Sequence, residues 1–316
     1  MQAMQSFVIS DTHFGLSSST LKDTKKVDLL LQEISKNGNG CDEAILLGDI
    51  FDFWRARPEK AVRDSRYFLK MISEMDLKIR YIVGNHDHHL VVLKQEEEFM
   101  ERVARGDLYP VYVPSLSWSQ TINGLNIEMF YPTFQARRCH RNFLFAHGHH
   151  LDGFQTFSLQ VVEQLRRFSG EERSPADLEM MMTYTYESIY RSSYIGEMVT
   201  FEDRLWNAHN TVQRLKADVL KKLRFTPVER HYEAILQFMC DQNKGMVDCF
   251  LYGDTHQADI YQRKGGPLAV NTGSFTREEG KCSGYELPDT YVLINEDGLA
   301  LRQLGKLEPI FLCEFF

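Results

Sequence analysis

Five short apolar runs in this chain each end in a cluster of carboxylates, amides and imidazoles, and no other feature narrows its fold so far. "FVIS" leads into Asp11 and His13, and "AILLGDIFD" carries Asp49 and Asp52. "YIVGNHDHH" ends in Asn85, His86 and Asp87, "NFLFAHGHH" in His147, and "FLYGDTH" in Asp254 and His256. A short apolar run bounded by turn residues reads as a strand buried on both faces, the kind found in sheets covered by helices. In such sheets the crevice beyond the strand ends is the usual ligand site. Of the 11 histidines, His13, His86, His88, His89, His147, His149, His150 and His256 all fall in these clusters. Histidines scattered through a core would not gather this way.

The segments between the runs predict an α/β core. "SFVIS", "EAILLGD" and "KIRYIVGN" read as strands. Between them, Leu21 to Lys36 places Val27, Leu30, Leu31 and Ile34 at helical spacing, and Glu59 to Met75 reads as a second helix. A polar helix is predicted from Lys94 to Arg105. The short runs "PVYVP", "LNIEMFYP" and "NFLFAHGH" suit antiparallel strands. Strand signals then vanish from Gly153 to about Asn243, a stretch too long for a loop, in which Phe157, Val161, Leu165 and Phe168 share one helical face. They resume at "VDCFLYGD", "ADIYQ", "PLAVNTGSF" and "TYVLINEDGLALRQL". The expected organisation is an α/β core at 1–153 and 243–316, interrupted by a helical insert or lid at 154–242. The apolar tail "EPIFLCEFF" reads as a final edge strand or a docking segment.

With 316 residues, 43% of them hydrophobic, the chain buries a real core. Its formal charge of -8 disfavours a protein whose main task is to grip a nucleic-acid backbone. Cys41, Cys139, Cys240, Cys249, Cys282 and Cys313 form no C-x-x-C pair. The start "MQAMQSFVIS" has no secretory pattern, and no apolar run is long enough to span a bilayer. A reduced, cytoplasmic protein is expected.

The clusters themselves point to metal chemistry. Residues two apart on extended backbone project to one side, so Asp11 and His13 are expected to grip one cation together. Carboxylate, imidazole and amide oxygen form a mixed donor set that suits manganese, iron or zinc. Two cations a few ångströms apart need a shared oxygen, which an Asp carboxylate supplies. Gly48, Gly84, Gly148 and Gly253 beside these residues permit tight turns or close approach. Any one motif is weak: a lone D-x-H is more often a surface turn. The ordered set is specific.

That set, D-x-H, G-D-x-x-D, G-N-H-D, an isolated His and a closing G-D-T-H, resembles the calcineurin-like metallophosphoesterase superfamily. The resemblance spans the core on both sides of the insert. It implies a two-sheet β-sandwich flanked by helices, an α/β fold, holding two divalent ions at the strand ends. By matching position, Asp11, His13 and His256 would hold the first ion, Asp49 would bridge, and Asn85 and His147 would hold the second. It implies hydrolysis of a phosphodiester, pyrophosphate or phosphomonoester by metal-activated water. His86 would stabilise the phosphoryl group or protonate the leaving oxygen, with Asp87 orienting it; Asp52 and His149 would support the ligands or touch substrate. "VNTGSF" resembles the family's Asn-Pro-Gly-Ser turn, with Thr272 in place of proline.

One departure stands out. The family usually has His at position 254, and Asp254 there either ligates through a harder oxygen, favouring manganese or iron over zinc, with cobalt, nickel and magnesium as further candidates, or has left the coordination sphere. "HGHHLDG" before the insert and the "NTGSF" turn look most similar to the branch containing UDP-2,3-diacylglucosamine hydrolase, although this chain has His86 where that enzyme commonly has Arg. The expected partner is a phosphorylated small molecule or lipid-linked substrate, with any membrane contact peripheral and a homo-oligomer open. The Met- and Tyr-rich stretch "LEMMMTYTYESIYRSSYIGEMVTF" either receives lipid chains or packs the insert onto the core. Arg166, Arg167, Arg191 and Lys221 to Arg224 either reach phosphate or form a solvated face. A nucleic-acid phosphodiesterase and a non-catalytic phosphate-binding scaffold remain the alternative functions.

Overall fold

Strand β1 (Ser6–Ile9) sends Phe7 and Ile9 to one side and Val8 to the other, and all three are fully buried. The computed structural model that shows this describes residues 4–37, 41–107, 115–151, 182–183, 186–188, 190–191, 226–242, 244–245, 247–277 and 287–315. β2 (Glu43–Leu46) and β3 (Lys78–Ile82) follow the same alternation: Ala44, Leu46, Ile79 and Tyr81 face one layer, Ile45 and Ile82 the other. The three pair in parallel and are joined through α1 (Thr24–Asn37) and α2 (Pro58–Ser73). α2 starts with proline at its first turn and buries Ala61, Ser65, Phe68, Leu69 and Ile72, a single helical face.

After α3 (His89–Ala104), β4 (Leu116–Ile122) and β5 (Leu125–Tyr131) form a hairpin across Asn123-Gly124, both with positive φ, as a two-residue hairpin turn requires. The chain then crosses into a second sheet through Pro132. β6 (Thr133–Arg138), β7 (Arg141–Ala146), β8 (Cys249–Tyr252), β9 (Asp259–Gln262) and β10 (Leu268–Asn271) build it, in the order β6-β7-β8-β10-β9. β11 (Thr290–Ile294), β12 (Gly298–Gln303) and β13 (Phe311–Glu314) return to the first sheet and complete its order β13-β12-β11-β1-β2-β3-β5-β4.

Val8, Ile45 and Ile82 meet Phe143, Phe145, Leu251 and Val270 between the sheets. Leu144, Phe250, Tyr252 and Ala269 face outward from the second sheet, against α4 (Pro227–Asp241). That helix opens with a capping box at Thr226 and Glu229 and buries Val228, Tyr232, Ile235 and Phe238. The result is the expected α/β sandwich, helix on sheet on sheet on helix.

Three details differ from the sequence reading. β4 and β6 are strands with polar, partly exposed residues at sheet edges. α3 begins at His89, not Lys94. α4 falls within 154–242 yet packs as a layer of the second sheet. Most of that segment, including the Phe157 to Phe168 face and the basic residues other than Arg191, lies outside the described residues, as does "PVYVP". The tail forms edge strand β13, paired to β12. Among the described residues, no helix is long and apolar enough to cross a membrane.

Candidate metal centre

The C-terminal ends of β1, β2 and β3 in one sheet, and of β7 and β8 in the other, open onto a common seam. The turns there are unusual. Asp11, His13, Asp49, Asp254 and His256 all have left-handed backbone, with φ of 51, 44, 51, 65 and 58°. Non-glycine residues adopt this region rarely, and such residues cluster at functional sites. Asp11 and His13 therefore converge through two left-handed turns, not through the pleat of extended backbone that the sequence suggested. The turns crowd: a Cβ on Gly84 would collide with Oδ1 of Asp49, and one on Gly253 with Oδ2 of Asp11.

Two donor sets result. In the first, the Nε2 atoms of His13 and His256 face each other at 3.1 Å, and Oδ1 of Asp11 lies 3.4 Å from His256 Nε2 and 3.8 Å from His13 Nε2. In the second, Nε2 of His147 has Asn85 Oδ1 at 3.1 Å, Asp49 Oδ2 at 3.3 Å and Asp254 Oδ1 at 3.5 Å. Oδ2 of Asp49 is also 3.7 Å from His13 Nε2. One carboxylate oxygen thus faces both sets.

Two of the three imidazoles, those of His147 and His13, are held in a fixed orientation from behind. His147 donates from Nδ1 to the Leu47 carbonyl at 2.7 Å, which leaves Nε2 as a lone pair aimed at the seam. His13 Nδ1 meets Asp52 Oδ2 at 2.9 Å and is set the same way. Backbone N–H groups fix the carboxylates: Asp254 donates to Asp11 Oδ2 at 3.0 Å, and His86 to Asp49 Oδ1 at 2.9 Å.

The donors fit divalent cations. Oδ1 of Asp11 is buried and accepts no hydrogen bond. Ligating atoms of Asp11, His13 and His256, of His13, Asp49 and His86, and of Asp11, Asp49 and His147 lie within 4.8 Å of one another. Electrostatics agree. Burial works against charge here, yet His13 and His256 hold Asp11 far below the ordinary carboxylate range, and His147 and His86 hold Asp49 down to about 2. Reciprocally, burial disfavours the charged imidazole, but Asp11 and Asp52 raise His13 to about 9, and Asp49 and Asp254 raise His147 well above the usual value. Carboxylates packed this closely demand positive charge, which bound cations supply as well as protons do.

The sequence matches the family model for calcineurin-like phosphoesterases over residues 4–258. The chain belongs to that family. No curated protein matches it. Among solved structures it is similar to Yfce, a phosphoesterase from E. coli, at 13% identity over 98% of this chain and 99% of that one, with a TM-score of 0.38. It is also similar to Vps29 complexed with Zn+2 from Entamoeba histolytica, at 11% identity, 98% and 99% coverage and a TM-score of 0.42.

In this calcineurin-like phosphoesterase the residue facing His86 is not Asp87. Asp87 accepts from the backbone of Ile50 at 2.9 Å and Gly84 at 2.7 Å and from the Tyr81 hydroxyl, and burial, with the charge of Asp49, pushes it up to about 7. It ties the β2 and β3 turns together. The partner of His86 is Asp52, whose Oδ2 lies 3.1 Å from His86 Nδ1. His149 is buried beside His147, ring centroids 5.5 Å apart, and burial drives its pKa well below the usual value. His88 meets Thr183 at 3.0 Å and His89 meets Glu187 at 2.7 Å, so both anchor helical residues of the 154–242 segment to α3. Thr272, in the proline position, bonds Ser10 at 2.6 Å and ties the β10 end to the β1 end.

Sequence reading missed Arg55. Its Nε lies 3.3 Å from Asp52 Oδ2 and its Nη2 is 3.3 Å from His86 Nε2. Only the spacing "DFWR", a basic residue three after Asp52, hinted at the contact.

Proposed function

We propose that this protein is a two-metal phosphoesterase that hydrolyses a phosphodiester, phosphoanhydride or phosphomonoester of a small-molecule or lipid-linked substrate. The observation that carries this reading is the placement of Asp49 Oδ2 between two donor sets, 3.7 Å from His13 Nε2 and 3.3 Å from His147 Nε2. Asp11, His13 and His256 would hold one divalent ion, Asn85, His147 and Asp254 the other, and Asp49 both. Ions bound there supply Lewis acidity toward phosphoryl oxygens and make water nucleophilic near neutral pH. The hard oxygen of Asp254 favours manganese or iron.

The chain's own residues supply orientation. Leu47 and Asp52 lock the imidazoles of His147 and His13 with Nε2 forward. His86, held through Nδ1 by Asp52, places Nε2 3.9 Å from Asp49 Oδ2, beside the reacting phosphoryl group. Burial lowers the His86 pKa against the pull of Asp52 and Asp49, so the resting ring is neutral. Its service as a proton donor then depends on the negative charge the substrate brings. Cys41, Cys139, Cys240, Cys249 and Cys313 are all free thiols, which supports action in a reducing compartment.

The test is hydrolysis of an aryl phosphodiester and the matching monoester by metal-stripped protein, with manganese added back. Turnover restored by manganese is expected. No turnover of either ester would overturn the enzymatic reading in favour of a phosphate-binding scaffold.

A further inference from the structure

Arg55 sits at the edge of the centre with its fork less completely used than that of Arg138. Arg138 shows the satisfied case: its fork binds buried Glu43 twice, Nε to Oε1 at 2.5 Å and Nη2 to Oε2 at 2.8 Å. The Arg55 fork is not filled. Oδ2 of Asp52 already serves His13 and His86, and Oδ1 accepts the Arg55 backbone N–H at 2.7 Å. Nε of Arg55, although 3.3 Å from that carboxylate, is buried without a hydrogen bond. Nη2 rests on the His86 ring, 3.3 and 3.5 Å from its nitrogens, while Trp54 covers the same ring at a centroid distance of 4.2 Å. The side chain keeps 23% of its surface exposed, at the edge of the centre. Among the described residues, no other lysine or arginine pairs with Asp11, Asp49, Asp52, Asp87 or Asp254.

We infer that Arg55 forms a second anion-binding position beside the centre and selects ligands that carry a further phosphoryl group next to the one at Asp49. The distances set this role. His86 Nε2 lies 3.9 Å from Asp49 Oδ2, and Arg55 Nη2 stands a further 3.3 Å from His86 Nε2. A phosphoryl group over Asp49 is therefore one imidazole away from the guanidinium. The next phosphoryl group of an anhydride, sharing one oxygen with the first, would reach Arg55 past His86. A planar guanidinium is the group best suited to grip phosphoryl oxygens in pairs, and Arg55 carries one within reach of His86. The inference rests on the proposed function only for where the first phosphoryl group sits.

The test is calorimetric binding of inorganic phosphate and of non-hydrolysable imidodiphosphate to the manganese-loaded protein, read as the ratio of the two affinities. Wild type is expected to prefer imidodiphosphate by about 10-fold or more, since a paired charge-assisted contact is worth that much. Arg55→Ala should bring the ratio close to one, and Arg55→Lys, with the charge but not the fork, should restore part of it. A thermal midpoint and metal content on each variant show that it is folded and loaded. An unchanged ratio in Arg55→Ala, or no preference in wild type, would overturn the inference. If the preference holds while no phosphoester is hydrolysed, the proposed function falls and the anion position stands.

Discussion

Asp254 carries the residue-scale question, because the family pattern has a histidine there. Its Oδ1 lies 3.5 Å from His147 Nε2 and its backbone N–H holds Asp11, so it touches both donor sets, one by side chain and one by main chain. Asp254→Ala keeps the main-chain contact and removes only the carboxylate. We predict that metal analysis of manganese-loaded Asp254→Ala finds one ion lost from two, with first-site occupancy retained; two ions still bound would remove Asp254 from the ligand set. Much of this site was legible from its residues, since Asp, His and Asn at strand ends betray their chemistry by type and spacing. The support was not. Asp87 stands next to His86 in sequence, but the backbone turns its carboxylate toward Ile50 and Gly84. Asp52 and Arg55, on another turn, face His86 instead, and contacts between separate turns leave no local pattern.

At the scale of elements, burial decided what could be read. β1 and β2 are buried throughout, so their runs were plainly apolar. β4 and β6 sit at sheet edges, where "LSWSQTI" and "TFQARR" expose every second residue or more and lose the signal of a buried strand. The start of α3 was hidden because His88 and His89 belong to the polar cluster and begin a helix at once. The two sheets are also joined by charge. Buried Glu43 on β2 binds Arg138 of β6, Arg80 of β3 and the Ser6 hydroxyl. Removing one partner of a buried ion pair strands the other. We expect Glu43→Gln to lower unfolding stability by about 3–5 kcal/mol in urea titration; a loss near zero would show that the triad contributes specificity without stability.

The whole molecule couples the two sheets through one seam. Apolar side chains fill the space between the sheets, but the seam gathers carboxylates that oppose folding. Cations bound there should stabilise the folded chain by mass action, since the unfolded chain brings no such set together. At free manganese about 100 times the dissociation constant, each site is expected to add about 2.7 kcal/mol, seen as a rise in the thermal midpoint that a chelator reverses. A midpoint indifferent to both manganese and chelator would mean that the seam holds no ion.

The five left-handed residues at the seam have a consequence for how this protein would change under selection. Each non-glycine residue in that region costs about 1–3 kcal/mol, and the fold carries Asp11, His13, Asp49, Asp254 and His256 there together. Glycine at any of them would relax the backbone while deleting a donor. Heat tolerance and chemistry therefore pull in opposite directions at the same five positions. A lineage kept only for its sturdiness, with its reaction no longer needed, would shed these side chains before it lost any part of its core.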